Sequence, residues 1–418
     1  MAGPVSALVR IPGSKSITNR ALTLGALAHG RTVIEGALFS DDTLLMAIGL
    51  RALGLVVEAD PEGERFTVWG QGGRIPAADA SIDAGNAGTV ARFLTAAAAL
   101  GSGRYLIDGS PRMRERPIGD LVAALRALGG DLEAPSGAPP VLIRGRGLAG
   151  GKAAVRGEAS SQFLSALLLV APLARGAVEL TTEGGLVAAP YVDMTVEMMR
   201  AFGADPRRAG NVFRITPGRY DARAYVVEPD ASSASYFFAA AAITGGRVAV
   251  PGLTRNSLQG DLEFVDVLVR MGCEASWSEA GVSVSGPQRL RGVDVDLNRI
   301  SDMTMTLAAM APFADGVVRI RNVAHIRRQE SDRLAALATE LRRLGQEVRE
   351  LPDGLEIHPR PLRPALVQTY GDHRIAMAFA VTGLRAGEVT IADPECVRKT
   401  FPDFFARLDR VAAPDGRG

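Results

Sequence analysis

Short alternating runs rich in β-branched residues recur along the chain, and each is opened by a glycine. Gly30 precedes Thr32-Val33-Ile34, Gly103 precedes Tyr105-Leu106-Ile107, and Gly176 precedes Val178-Glu179-Leu180. The same pattern returns at Gly246 (Val248-Ala249-Val250), Gly316 (Val318-Arg319-Ile320) and Gly387 (Val389-Thr390-Ile391). Successive glycines lie 73, 73, 70, 70 and 71 positions apart. Alternation of this kind predicts half-buried strands. A second marker closes amphipathic stretches at Leu53-Gly54, Leu128-Gly129, Phe202-Gly203, Met271-Gly272 and Leu344-Gly345. Each of these glycines predicts a left-handed residue just past a helix end, a conformation that side chains resist. A strand, a turn and another strand follow each time. The spacing therefore predicts a unit of strand, helix, strand, helix, strand, strand, present six times with its last copy cut short. The expected fold class is α/β, in two pseudo-symmetric domains of three βαβαββ units, with a boundary near residues 225–235.

The polar residues that interrupt this pattern fall where a strand delivers the chain to a helix. In the first copy a β-like run from Val5 to Ile11 breaks at Pro12-Gly13, and Ser14 or Ser16 caps a helix to about Ala28. Lys15 sits at the mouth of that helix and Arg20 one turn in. Free N–H groups, the positive dipole end and a cation coincide there, which suits a phosphate or carboxylate. The other junctions are Asn86-Ala87-Gly88-Thr89, Ser160-Ser161-Gln162, Asp230 to Ser233, Asp302-Met303-Thr304 and Asp372-His373-Arg374. Serine, asparagine and aspartate are good caps, but Lys15, Gln162, His373 and Arg374 exceed what capping needs. The second loop of each copy adds charge: Asp41-Asp42, Arg112 to Arg116, Gln259 to Asp261, Arg327 to Arg333, and Arg398-Lys399. Glu330, beside Asp332 and Arg333, reads either as part of a surface ion network or as a carboxylate poised for proton transfer.

Composition narrows the class. The 418 residues are 47% hydrophobic and 22% charged, with a formal net charge of +1. That predicts a large core and gives no reason to expect nucleic acid or a charged membrane surface as partner. Two cysteines without paired spacing predict a reducing compartment. With neither a leader peptide nor a long uncharged apolar run recognised, a soluble cytoplasmic protein is expected. His325 and His373 are too isolated for a zinc site, and no phosphate-loop or dinucleotide motif is present. Only Lys15, Lys152 and Lys399 are lysines, against 44 arginines. A lysine in so arginine-rich a chain marks a place for a compact point charge, or drift; Lys152, in a glycine-rich turn, fits drift.

The ordered motifs resemble the enolpyruvyl transferase family across essentially the whole chain. They run from Pro12-Gly13-Ser14-Lys15-Ser16 through Asn86 to Thr89, Pro111 to Pro117, Ser160 to Phe163, Asp230 to Tyr236, Glu330 to Arg333 and Asp372 to Arg374, to Lys399-Thr400-Phe401-Pro402. The resemblance implies two three-unit domains, residues 14–228 and residues 1–13 plus 229–418, with the active site in the cleft between them. It implies transfer of the carboxyvinyl group of phosphoenolpyruvate to the 5-hydroxyl of shikimate 3-phosphate, with neither metal nor organic cofactor, by an enzyme expected to be monomeric. By the same resemblance Asp302 is the base and Glu330 the acid, with Lys15 assisting. Lys15, Arg116, Gln162 and Lys399 hold the phosphate of phosphoenolpyruvate, Arg333 and Arg374 its carboxylate, and His373 lies beside them. Asn86, Gly88, Thr89 and Arg92 form the wall behind it. Ser16 and Arg20 hold the carboxylate end of shikimate 3-phosphate, Ser160, Ser161 and Gln162 its phosphate, and Tyr191, Asp302, His325 and Gln329 its ring and remaining groups.

The chain departs from the family pattern at four places. Ala188 replaces a phosphate-binding serine, Gln329 a lysine, His325 an asparagine, and Phe93 the proline that follows Arg92. Loss of a charge-assisted bond is typically worth about 1.5–3 kcal/mol, which Arg327 or Arg328 is expected to offset. Three rivals stay open: a modified shikimate-like acceptor, a UDP-amino sugar acceptor, and a non-catalytic anion-binding relative. The UDP-sugar branch carries a reactive cysteine in its first half, whereas Cys273 and Cys396 both fall in the second.

Overall fold

The computed structural model describes residues 3–413; residues 1–2 and 414–418, the outermost parts of the expected C-terminal domain, lie outside the described residues. The chain divides into two compact units, Gly13–Val227, and Met1–Pro12 with Glu228–Gly418. The sequence reading put these divisions one residue later.

In the first unit, three four-stranded sheets repeat one plan. Each has a central strand flanked by a parallel strand on one side and an antiparallel strand on the other. Thus Arg104–Asp108 lies between parallel Asp79–Asp83 and antiparallel Val141–Arg144, with Asp131–Glu133 at the edge. Val178–Glu183 is flanked likewise by Gly151–Arg156 and Val212–Ile215. In the remaining sheet, His29–Glu35 takes as its parallel neighbour not the strand that precedes it but Ala224–Val226. The second unit shows the converse: Ser6–Leu8, first in the chain, pairs with Arg247–Pro251, Ser6 opposite Arg247. The opening strands of the first and fourth copies are thus exchanged. Val293–Asp296 and Val318–Arg321 start the next sheet. The sixth copy has a two-stranded sheet of Ala365–Val367 and Val389–Ile391, as its shortened sequence predicts.

The six marker glycines open or lie in the central strands, and the five helix-ending glycines have φ between +87° and +102°. At Gly54 the amide donates to Arg51 while Leu55 reaches back to Leu50; at Gly345 the partners are Arg342 and, from Gln346, Leu341. Paired bonds of this kind satisfy the last carbonyls of each helix and fix where the following strand starts. Helix Gly88–Ala98 is buried along its whole length, and Ala231–Thr244 in all but its last residue. Helices buried all round belong inside a unit rather than on its surface. No helix among the described residues is long and apolar enough to cross a membrane.

At Gly246 an added methyl would lie 2.0 Å from the carbonyl oxygen of Val5. Backbone, not a flexible side chain, fills that space. Gly246→Ala is expected to lift strand Ser6–Leu8 from its neighbour and destabilise the protein by about 1–3 kcal/mol, read as a lower denaturant midpoint.

Candidate active site

In the unit formed by residues 13–227, three helix N-termini converge. Helix Lys15–Leu27 is capped by Ser14, whose hydroxyl accepts from the Ile17 amide, and helix Ser161–Val170 is capped by Ser160. Asn19 Nδ2 donates to Thr89 Oγ1 at 2.8 Å, tying the first helix to Gly88–Ala98. A methyl at Gly88 would lie 2.7 Å from Arg116 Nη2, 2.8 Å from Gln162 Oε1 and 3.2 Å from Arg92 Nη1. The ends of three polar side chains therefore crowd over that backbone, and a Cβ there would make them shift. Arg116 also donates to the carbonyl (2.9 Å) and side-chain oxygen (3.2 Å) of Asn86, and Arg92 to the carbonyl of Pro117 (2.8 Å). Lys15 Nζ stands 3.1 Å from Asp42, in the first turn of helix Asp41–Ala52. Ser161 is buried.

Arg20 is buried to 1% exposure. Its guanidinium donates to Thr195 Oγ1 (2.7 Å), to Ser165 Oγ (3.4 Å) and to the carbonyls of Ser16 and Tyr191 (both 3.0 Å). It also lies against the rings of Phe93 and Tyr191. All these partners are neutral, so the charge is solvated but not cancelled. Burial pulls its pKa down to about 10, against the opposing influence of Tyr191 and Tyr225. A buried cation held only by neutral oxygens favours an incoming anion.

In the other unit the centre is Arg333, 1% exposed, the first residue of helix Arg333–Arg343. It pairs with Asp372 (2.8 Å), Asp302 (3.1 Å) and Glu330 (3.1 Å), and also donates to the side-chain oxygen of Gln329. Burial opposes the charge, but Asp372, Glu330 and Asp302 outweigh it and hold the guanidinium pKa above its ordinary value. Asp302 also meets Arg374 at 2.7 Å, and Arg374 reaches Ser232 and Tyr236. Asp372 caps helix His373–Ala386 and takes a bond from Ser331. His373 and Lys399 are both buried. His325 lies in the short helix Ala324–Arg328, and burial lowers its pKa to about 4, with Asp302 raising it and Arg333 lowering it.

Several expectations are revised. Ser160, Asp230 and Asp372 cap their helices as predicted, and Ser14 rather than Ser16 caps the first. Asn86 and Asp302 do not cap: Ala87 precedes the helix at Gly88, and Asp302 lies inside a short 3-10 turn, its oxygens turned to arginines. Glu330 is no surface ion pair, since its side chain is 10% exposed. Arg327, expected to offset the missing lysine at Gln329, is engaged by Asp332, Glu350 and two carbonyls. Lys152 is a surface residue paired with Glu179. Sequence reasoning missed Asp372 as a partner of Arg333, and Asp42 as the partner of Lys15. Asp372 passed for an ordinary cap, and only its place directly before His373-Arg374 hinted at more.

A family model described as EPSP synthase (3-phosphoshikimate 1-carboxyvinyltransferase) matches residues 1–408. A 3-phosphoshikimate 1-carboxyvinyltransferase of Nostoc punctiforme is 50% identical over 409 residues, covering 97% of this chain and 96% of that one. The chloroplastic protein of the same description from Arabidopsis thaliana is 47% identical, covering 97% and 82%. The solved structure of EPSP synthase from Acinetobacter baumannii superposes with a TM-score of 0.81 at 27% identity, covering 98% of this chain and 96% of that one.

Because the His325 imidazole is held neutral to about pH 4, the unfolded chain binds a proton there that the folded chain refuses. Its contribution is full above pH 6.5 and is lost as pH falls toward 4, by about 3 kcal/mol at most. Denaturant midpoints of the protein and of His325→Asn, compared at pH 7 and pH 4, are expected to fall less with acid in the variant.

Proposed function

Because the chain belongs to the EPSP synthase family, we propose that it transfers the carboxyvinyl group of phosphoenolpyruvate to the 5-hydroxyl of shikimate 3-phosphate and releases phosphate. The observation that carries the reading is the sharing of one buried guanidinium, Arg333, by Asp302 and Glu330, with Arg374 on the far oxygen of Asp302.

Arg333 and Arg374 take the carboxylate of phosphoenolpyruvate, which competes with Asp302 and Glu330 for the same N–H groups. Asp302, released from the arginines, is then able to accept a proton, and Glu330 to carry one. Glu330 gives its proton to the methylene carbon while the 5-hydroxyl oxygen bonds to the neighbouring carbon and loses its proton to Asp302. The resulting tetrahedral intermediate returns a proton from the new methyl group to Glu330 as its carbon–oxygen bond to phosphate breaks, and the proton held by Asp302 leaves with the phosphate. Lys15, Arg116, Gln162 and Lys399 hold that phosphate as charge moves onto it. Asn86, Gly88, Thr89 and Arg92 shape the wall beside it, and His373 packs next to the carboxylate. Asp42 keeps Lys15 in place.

Arg20 and Ser16 receive the carboxylate end of shikimate 3-phosphate; the neutral surroundings of Arg20 support this. Ser160, Ser161 and Gln162 receive its phosphate, and Tyr191, His325 and Gln329 border its ring. His325, neutral at working pH, offers a hydrogen bond without a charge. The protein works as a monomer, and in the cytoplasm; the sparse and unpaired cysteines support the second of these, the compartment.

Phosphate release from phosphoenolpyruvate, with shikimate 3-phosphate or shikimate as acceptor, tests the proposal. Turnover with shikimate 3-phosphate is expected, and Asp302→Asn and Glu330→Gln are each expected to lower kcat by at least about 100-fold. Turnover with neither acceptor, while phosphoenolpyruvate still binds, would point to a different acceptor and overturn it.

A further inference from the structure

The segment from Gln368 to Asp372 runs alongside helix Arg333–Arg343 and is fastened to it at two points. At one end Asp372 holds Arg333 and Ser331. At the other the fully buried Glu340 accepts from the Tyr370 hydroxyl (2.7 Å) and the Gln368 amide (3.1 Å). Between these points lies a tight turn, closed by a 2.9 Å bond from the Asp372 amide to the Thr369 carbonyl. Its central residues, Tyr370 and Gly371, have φ of +57° and +64°. Two positive φ values in succession are the pattern of a type I′ turn, which favours asparagine or glycine in its first central place. Tyrosine there is strained, and a strained residue persists only where its surroundings over-determine it. The Glu340 contact supplies that constraint. The Tyr370 residue is 47% exposed, but its hydroxyl is held against Glu340, and this partly desolvated contact pushes the phenol pKa up to about 12.

We propose that Tyr370 is a positioning residue: its hydroxyl, anchored on Glu340, holds the Thr369–Asp372 turn in the form that sets Asp372 against Arg333 and starts the helix bearing Arg374. The proposal rests on the reading of Arg333 and Arg374 as the carboxylate binders of phosphoenolpyruvate. A side chain that served stability alone would affect both substrates alike.

Two variants remove the anchor in different ways. Tyr370→Phe keeps the ring and the strain; Tyr370→Asn suits the left-handed backbone but cannot reach Glu340 as the phenol does. Both are expected to raise KM for phosphoenolpyruvate by about three- to tenfold, leaving KM for shikimate 3-phosphate within about twofold. Amide hydrogen exchange is expected to quicken at Asp372 and Arg374 in both. Equal rises in both KM values, a rise in Tyr370→Phe alone, or unchanged exchange at these amides would overturn the proposal. Absence of turnover in the unaltered protein would contradict the functional reading instead, and the exchange measurement would still decide the role of Tyr370.

Discussion

The second unit is arranged around one buried charge. Taking a guanidinium out of water costs several kcal/mol, and the cost is recovered only where geometry and hydrogen bonding are good. Around Arg333 three carboxylates meet that condition, with Asp372 nearest at 2.8 Å. Each belongs to a different stretch of chain. Asp302 comes from the turn after strand Val293–Asp296, Glu330 from the loop after Val318–Arg321, and Asp372 from the start of helix His373–Ala386. One side chain thus fixes three loops relative to one another, and two of them carry the groups proposed to move protons.

The first unit solves a related problem in another way. Arg20 is as deeply buried as Arg333, yet its partners are hydroxyls and carbonyls. Here the field is left positive, which suits recognition of an anion. Around Arg333 the field is already answered by carboxylates, so an anion must compete for the same donors. In the proposed reaction, binding at Arg20 and exchange of partners at Arg333 are distinct uses of the same side chain. Substitution by lysine at either place would lose the planar fork on which both depend.

Much of the architecture was legible because it is periodic. Glycine at the end of five helices leaves a local mark, since those left-handed backbone positions resist side chains, and at Gly103 and Gly246 neighbouring backbone leaves no room for one. Which strand joins which sheet left none: the pairings of Ser6–Leu8 with Arg247–Pro251 and of Ala224–Val226 with His29–Glu35 span more than half the chain or nearly half of it. The site was legible in the same uneven way. Asp230 and Ser160 behave as their position before a helix predicts. Asp302 does not, because its partners Arg333 and Arg374 stand 31 and 72 positions away. Gln329, noticed as a departure in charge, proves to be an acceptor for Arg333, a role no local pattern encodes.

The most direct measurement is the steady-state kinetics of Arg333→Lys with phosphoenolpyruvate and shikimate 3-phosphate. Lysine keeps the positive charge but has one nitrogen where Arg333 uses three, Nη1, Nη2 and Nε, to reach Asp302, Glu330 and Asp372. A loss in kcat/KM of at least about 100-fold, larger than the change in unfolding free energy accounts for, is the predicted result. Activity within about threefold of the unaltered protein would contradict the account, since charge alone, rather than the shared fork, would then suffice.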